Sequence, residues 1–170
     1  MAGLCETLFS QLKTSLGLED NELIYLTLAA YLHDIGMFIN NRVHHKHTEY
    51  VISSLNLFRL TEEEIKIIAC VARYHRKSDP MRTHTLYNSL SSNHQILVQK
   101  LSALLKMGNA LDQSHKQKAK KLEVKFDRKE NVNIVVTTSE NFALEKINFL
   151  EKKDLYEEIT GNKVSLSIKS

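Results

Sequence analysis

Apolar residues recur three and four apart from Ala2 to Leu16, where Leu4, Leu8, Leu12 and Leu16 form one stripe widened by Cys5 and Phe9. That spacing predicts an amphipathic helix, with Gly17 as a left-handed cap. A second helix is predicted from Asp20 or Asn21, both good N-cap types, through Leu23, Ile24, Leu26, Leu28, Ala29, Ala30 and Leu32. It is apolar nearly all round, which predicts the central and most buried helix, and Gly36 is placed to stop it. Met37 to Val43 reads as a connection, and a third helix runs from about His45 to Leu55. Thr61-Glu62-Glu63-Glu64 is a capping box. The helix it opens carries Ile65, Ile68, Ala69 and Ala72 on one face and ends in Arg73-Tyr74-His75-Arg76-Lys77. Asp79-Pro80 breaks the chain. A looser stretch reaches about Ser92, and Asn93 to about Gln113 is the last long helix of a unit ending near His115.

Beyond His115 the period drops from helical to two. Leu122, Val124 and Phe126 alternate with Glu123, Lys125 and Asp127; Arg128 to Asn131 can turn; Val132, Ile134 and Val136 alternate back. A helix from about Asn141 to Thr160, a Gly161 cap and a strand through Val164, Leu166 and Ile168 complete a β-β-α-β unit. The predicted fold is mainly α with a small C-terminal α+β domain, divided as 1–117 and 118–170.

The chain has 170 residues, 42% of them hydrophobic and a single Pro, which favours long helices and argues against disorder. Its net charge of +3 permits an anionic ligand without requiring one. Cys5 and Cys70 sit in apolar settings without CxxC spacing and read as reduced core residues of a cytoplasmic protein. No apolar run approaches the roughly 20 residues of a membrane span, and Met1 to Ser10 does not read as a signal peptide.

The chemistry gathers at Leu28 to His47. His33-Asp34 ends an apolar helical run, Ile35-Gly36 follows, and His44, His45 and His47 come next. Imidazole nitrogen and carboxylate oxygen can share one divalent ion; the pair also suits a buried, hydrogen-bonded helix end. Arg73, His75, Arg76 and Lys77 relieve a helix C-terminal dipole, or clamp phosphate with Arg as a fork and Lys as a point charge. Five of the eight histidines fall between His33 and His75, which favours a functional use of this region. The lysines from Lys116 to Lys121 read as a solvated linker.

The series AAYLHDIG, HHKHTEYVI, RYHRK and LSALLKMGNALDQSH, followed by LEKKDLYEEITGNKVSL in the tail, resembles the C-terminal half of the exopolyphosphatase / guanosine pentaphosphate phosphohydrolase family. The resemblance covers essentially the whole chain. It implies an HD-type helical domain followed by the small α+β domain, a cytoplasmic location and homodimerisation. It also implies polyphosphate or guanosine tetra- or pentaphosphate as ligands, with neither membrane nor nucleic acid as partner.

The chain departs from that family in three places. The glycine-rich actin-like domains that carry the family's catalysis are absent. The first His of an HD site would fall ahead of Met1, outside this chain. The closing Asp is replaced by Asn109, while Asp112 lies one helical turn later. A divalent metal at His33 and Asp34, with Asn109 or Asp112 closing the shell, is therefore expected to be weakly held or absent. Lys46, His47, Arg73, His75, Arg76, Lys77 and His45 are the expected polyanion contacts, serving an upstream catalytic half. A stand-alone metal-dependent HD phosphohydrolase and a structural dimerisation domain are the alternatives. Whether the chain is itself an enzyme stays open, because the resemblance is to a phosphohydrolase family but the site is incomplete.

Overall fold

A computed structural model describes residues 1–57, 59–76 and 78–169. Its helices are α1 (Ala2–Leu16), α2 (Leu23–Leu32), α3 (His44–Ser53), α4 (Glu62–Arg73), α5 (Thr85–Asn88), α6 (Ser92–Ala110), α7 (Ala143–Lys152) and α8 (Asp154–Thr160). Its strands are β1 (Lys121–Phe126), β2 (Val132–Thr137) and β3 (Val164–Lys169). Among the described residues no helix is long and apolar enough to cross a membrane.

Local signals set most of the boundaries. Gly17 ends α1 at φ 58° and Gly161 ends α8 at φ 74°, conformations that a Cβ disfavours. The capping box at α4 is closed. Thr61 Oγ1 accepts from Glu64 N at 3.2 Å, and Glu64 Oε2 accepts from Thr61 N at 2.8 Å. The Tyr25 hydroxyl donates to the other Glu64 oxygen at 2.6 Å, which ties α2 to the start of α4. The stretch before Ser92 is less loose than its sequence suggests, since it contains α5.

The central helix is α6, not α2. It packs against α1, α2, α4, α7 and α8, and every residue from Leu101 to Ala110 is buried. Helix α2 buries Tyr25, Leu26, Ala29 and Ala30 but leaves Ile24 47% and Tyr31 71% exposed. An all-round apolar helix tells nothing of which side is covered. Here α1, α4 and α6 cover one side and solvent takes the other. The close approach of α1 to α6 depends on Gly108, where a Cβ would lie 2.4 Å from Cys5 Sγ. Hydrogen exchange should accordingly find the α6 amides from Leu101 to Ala110 the slowest in the chain, with α2 faster. Slowest exchange in α2 would mean that the core is centred elsewhere.

The strands lie in the order β1-β2-β3. β1 and β2 pair antiparallel with Leu122 opposite Val136 and Val124 opposite Ile134, while β2 and β3 run parallel with Val132 opposite Val164. Gln11 of α1 satisfies part of the β1 edge, donating to Leu122 O at 3.3 Å and accepting from Val124 N at 2.7 Å. Leu122, Val132, Ile134, Val136, Phe149 and Tyr156 belong to the same core as the helices. The single helix expected from Asn141 to Thr160 is two. Lys153 N still donates to Phe149 O at 3.1 Å, and Lys153 O accepts from Tyr156 and Glu157 at 3.0 and 3.2 Å. The interruption is thus a tightened turn.

Candidate functional site

The His33-Asp34-Ile35-Gly36 segment leaves α2 and turns immediately against the start of α3. Gly36 N–H donates to Thr48 Oγ1 at 3.1 Å, and the Thr48 hydroxyl donates to His33 O at 2.9 Å. A Cβ on Gly36 would lie 2.2 Å from His44 O and 2.4 Å from Thr48 N. Glycine is needed here because two backbones touch. The Ile-Gly that follows the His-Asp pair is therefore the means by which α3 is brought beside it.

That contact sets His44 over Asp34, and the end of α4 brings His75 to the same point. His33 Nε2 lies 3.1 Å from Asp34 Oδ2. His44 Nε2 and His75 Nε2 lie 3.3 and 3.5 Å from Asp34 Oδ1 and 3.0 Å from each other. The other nitrogen of each ring is fixed by a backbone carbonyl three residues earlier. Nδ1 of His33, His44 and His75 meets Ala30 O, Asn41 O and Ala72 O at 2.9, 2.8 and 2.7 Å. A carbonyl only accepts, so each Nδ1 carries a proton and each Nε2 is the nitrogen turned toward the carboxylate.

Three ring nitrogens and a carboxylate converging in a half-buried space need protons or a cation between them. Burial pushes the His75 imidazole down to about 3, against the pull of Ala72 O and Asp34, so this ring is neutral near pH 7. Burial pushes Asp34 upward, but the His33 hydrogen bond and the His33, His75 and His44 charges bring it down to about 2, so it is ionised. Ligand atoms of Asp34, His44 and His75 all lie within 4.8 Å of one another. A tetrahedral ion with metal–nitrogen distances of about 2.0–2.1 Å has ligand–ligand edges of about 3.3–3.4 Å, close to the triangle described above. Backbone carbonyls on the outer ring nitrogens are the usual support of metal-bound histidines. The donor set thus fits a borderline divalent ion.

The remaining site residues fall into two groups. His45, Lys46 and His47 lie in the first turn of α3, and Arg76 is exposed just after α4. Burial lowers the His45 pKa, and the Arg73, Arg76, His44 and Lys46 charges lower it further, so these cations share one neighbourhood. Arg73 differs, because its guanidinium is paired with the Glu49 carboxylate, both largely buried, and it lies 5.7 Å from the Tyr74 ring centroid. Lys77 lies outside the described residues. Asn109 is buried with its amide nitrogen 3.4 Å from His75 O, behind the histidine rather than in its ring of donors. Asp112 is engaged elsewhere, with the backbone nitrogens of Met1 at 3.1 Å and Gln117 at 2.9 Å.

From the sequence, His75 belongs to the phosphate clamp and His44 only to the histidine cluster that could join it, not to the metal-ligand set. The usable signal was that His44 opens α3 and His75 closes α4, the two helices most closely packed together. A pairing of residues 31 positions apart has no local signature.

Residues 1–159 match the family model described as Ppx/GppA phosphatase, domain III. A guanosine-5'-triphosphate,3'-diphosphate pyrophosphatase of Pseudoalteromonas translucida (strain TAC 125) is 34% identical over 87 residues, which are 51% of this chain and 17% of that protein.

Proposed function

The chain belongs to the Ppx/GppA phosphatase, domain III family, and on that premise we propose that it holds phosphate chains, polyphosphate or a guanosine tetra- or pentaphosphate, for a phosphohydrolase. The relative's name supports the guanosine polyphosphate side of this reading. One structural observation carries it. The start of α3 and the end of α4 meet at Asp34, so that Lys46 and Arg76 share the electrostatic neighbourhood of His45. Converging cations bind a polyanion with an affinity that falls steeply as salt rises, because counterions are released.

The contacts are unequal. Arg76 is free of the Glu49 pairing that holds Arg73, and its fork orients an anion where Lys46 acts by charge. Calorimetric titration with polyphosphate should show Arg76→Ala losing about 1–3 kcal/mol of binding, the range for hydrogen bonds to charged groups. Arg73→Ala should instead lose stability, because it strands the largely buried Glu49 carboxylate. Wild-type binding by the Arg76→Ala/Lys46→Ala double variant, with loss on removing Lys116, Lys120 and Lys121, would move the site to the linker.

The convergence of Asp34, His44 and His75 favours a second reading, a metal-dependent phosphohydrolase. Those three residues would hold the ion, with His33 on the other Asp34 oxygen. When bound, a divalent ion supplies polarisation of a phosphoryl oxygen and a lowered pKa for water. The chain's own part is to fix the rings through Ala30, Asn41 and Ala72, and to hold the anion with Arg76 next to His75.

A further inference from the structure

Beside the histidine cluster, the end of α4, the last turns of α6 and the outer face of α7 enclose a cavity of about 370 Å³ lined by Arg76, Lys106, Gln113, Asn148, Glu151 and Lys152. It falls within the size range of small-ligand sites, roughly 300–1,000 Å³. We infer that this cavity seats one phosphoryl group, with Arg76, Lys106 and Lys152 around it and the amides of Gln113 and Asn148 completing its hydrogen bonds. The inference deepens the phosphate-chain reading and rests on it. It adds Lys106 and Lys152, which reach the site from α6 and α7.

Among the described residues, three cations line the cavity against one carboxylate, Glu151. The Lys106 side chain is only 5% exposed and is paired with Asp79, which is 46% exposed. Asp79 can turn to water when an anion arrives, leaving no buried charge behind. Lys152 Nζ donates to the neutral amide oxygen of Gln113 at 3.4 Å, a long bond that brings no opposite charge. Burial, and then the Lys106 and Arg76 charges, push the Lys152 ammonium down to about 8, with Glu151 and Asp34 pulling the other way. Among the described lining residues positive charge thus exceeds negative. Desolvated like charges held close together are costly, and an entering anion offsets that cost.

The arrangement suits a tetrahedral oxyanion better than a carboxylate. The cations come from three elements rather than from one plane, and an Arg fork with two ammonium groups serves several oxygens at once. Arg76 directly follows His75, and the Asp34 charge is felt at Lys152. A phosphoryl group here therefore shares the electrostatic field of Asp34. The rest of a chain would lead over Arg76 toward Lys46.

The test is calorimetry of the full chain with tripolyphosphate on wild type, Lys152→Met, Lys152→Arg and Lys121→Met, with thermal melting to confirm folding. Lys152→Met should weaken binding at least tenfold, Lys152→Arg should recover most of it, and Lys121→Met should match wild type. If Lys152→Met binds like wild type while Arg76→Ala does not, the cavity is not the seat and the phosphate-chain reading stands. If wild type binds no tripolyphosphate, that reading fails. Orthophosphate is then titrated while the Lys152 side-chain NMR signals are followed. A saturable shift there upholds the cavity as a phosphoryl site, and no shift overturns it.

Discussion

Replacing Gly36 with alanine should destabilise the protein by about 3 kcal/mol, the upper part of the range for forced overpacking, and should separate His44 from Asp34. The added Cβ would lie 2.2 Å from His44 O and 2.4 Å from Thr48 N. Both are backbone atoms of the first turn of α3, so neither can swing aside as a side-chain end would. The turn must retreat as a body. Retreat stretches the hydrogen bonds from Gly36 N to Thr48 Oγ1 and from Thr48 Oγ1 to His33 O, 3.1 and 2.9 Å as they stand. It also carries His44 away from His75. Urea denaturation would measure the loss, and the imidazole signals of His44 and His75 in NMR would report the separation. A change within about 0.5 kcal/mol, the usual effect of a surface substitution, would show that α3 does not sit against this glycine.

Zinc or cobalt(II) should bind one per chain, and His75→Ala or Asp34→Asn should weaken that binding by more than the about 10–100-fold typical of losing an outer partner of a metal ligand. The sequence alone led to the opposite expectation, a weak or absent metal, because an HD-type set would keep only His33 and Asp34. The structure supplies His44 and His75 to the same carboxylate, at 3.3 and 3.5 Å. Ion binding should also raise the melting temperature, since a ligand at 100 times its dissociation constant adds about 2.7 kcal/mol. Asn109→Ala should leave the stoichiometry unchanged, because its amide faces His75 O from behind. Cobalt(II) absorption and calorimetry give the stoichiometry. Equal cobalt affinity in wild type and Asp34→Asn would sink the metal-dependent reading and leave the four residues a structural knot.

The elements that the sequence announced are those whose causes are local. The Leu4, Leu8, Leu12, Leu16 stripe, the Thr61–Glu64 box, the glycine ends at Gly17 and Gly161, and the alternation that pairs Leu122 with Val136 each depend on residues within one helix or one hairpin. The elements misjudged depended on what packs against them. The apolar run of α2 points to it as the centre, yet a helix's own composition cannot say how many neighbours surround it. The tightened turn at Lys153 and the short α5 are likewise not marked by the strong breakers, proline or glycine.

At the site the same division holds, with a physical reason. The sequence by itself determined the chemistry available: a His-Asp pair at a helix end, a glycine just after it, a histidine-rich helix start and a basic helix end. Side-chain identity and short-range spacing fix those things. Only the tertiary structure decided their partners. It turned His44 and His75 onto Asp34, paired Arg73 with Glu49, held Asp112 against Gln117 and brought Lys106 and Lys152 to one cavity with Arg76. Each of those outcomes except the Asp112 turn joins residues from separate helices. Such contacts form only when hydrophobic burial elsewhere in the chain has already chosen how the helices pack.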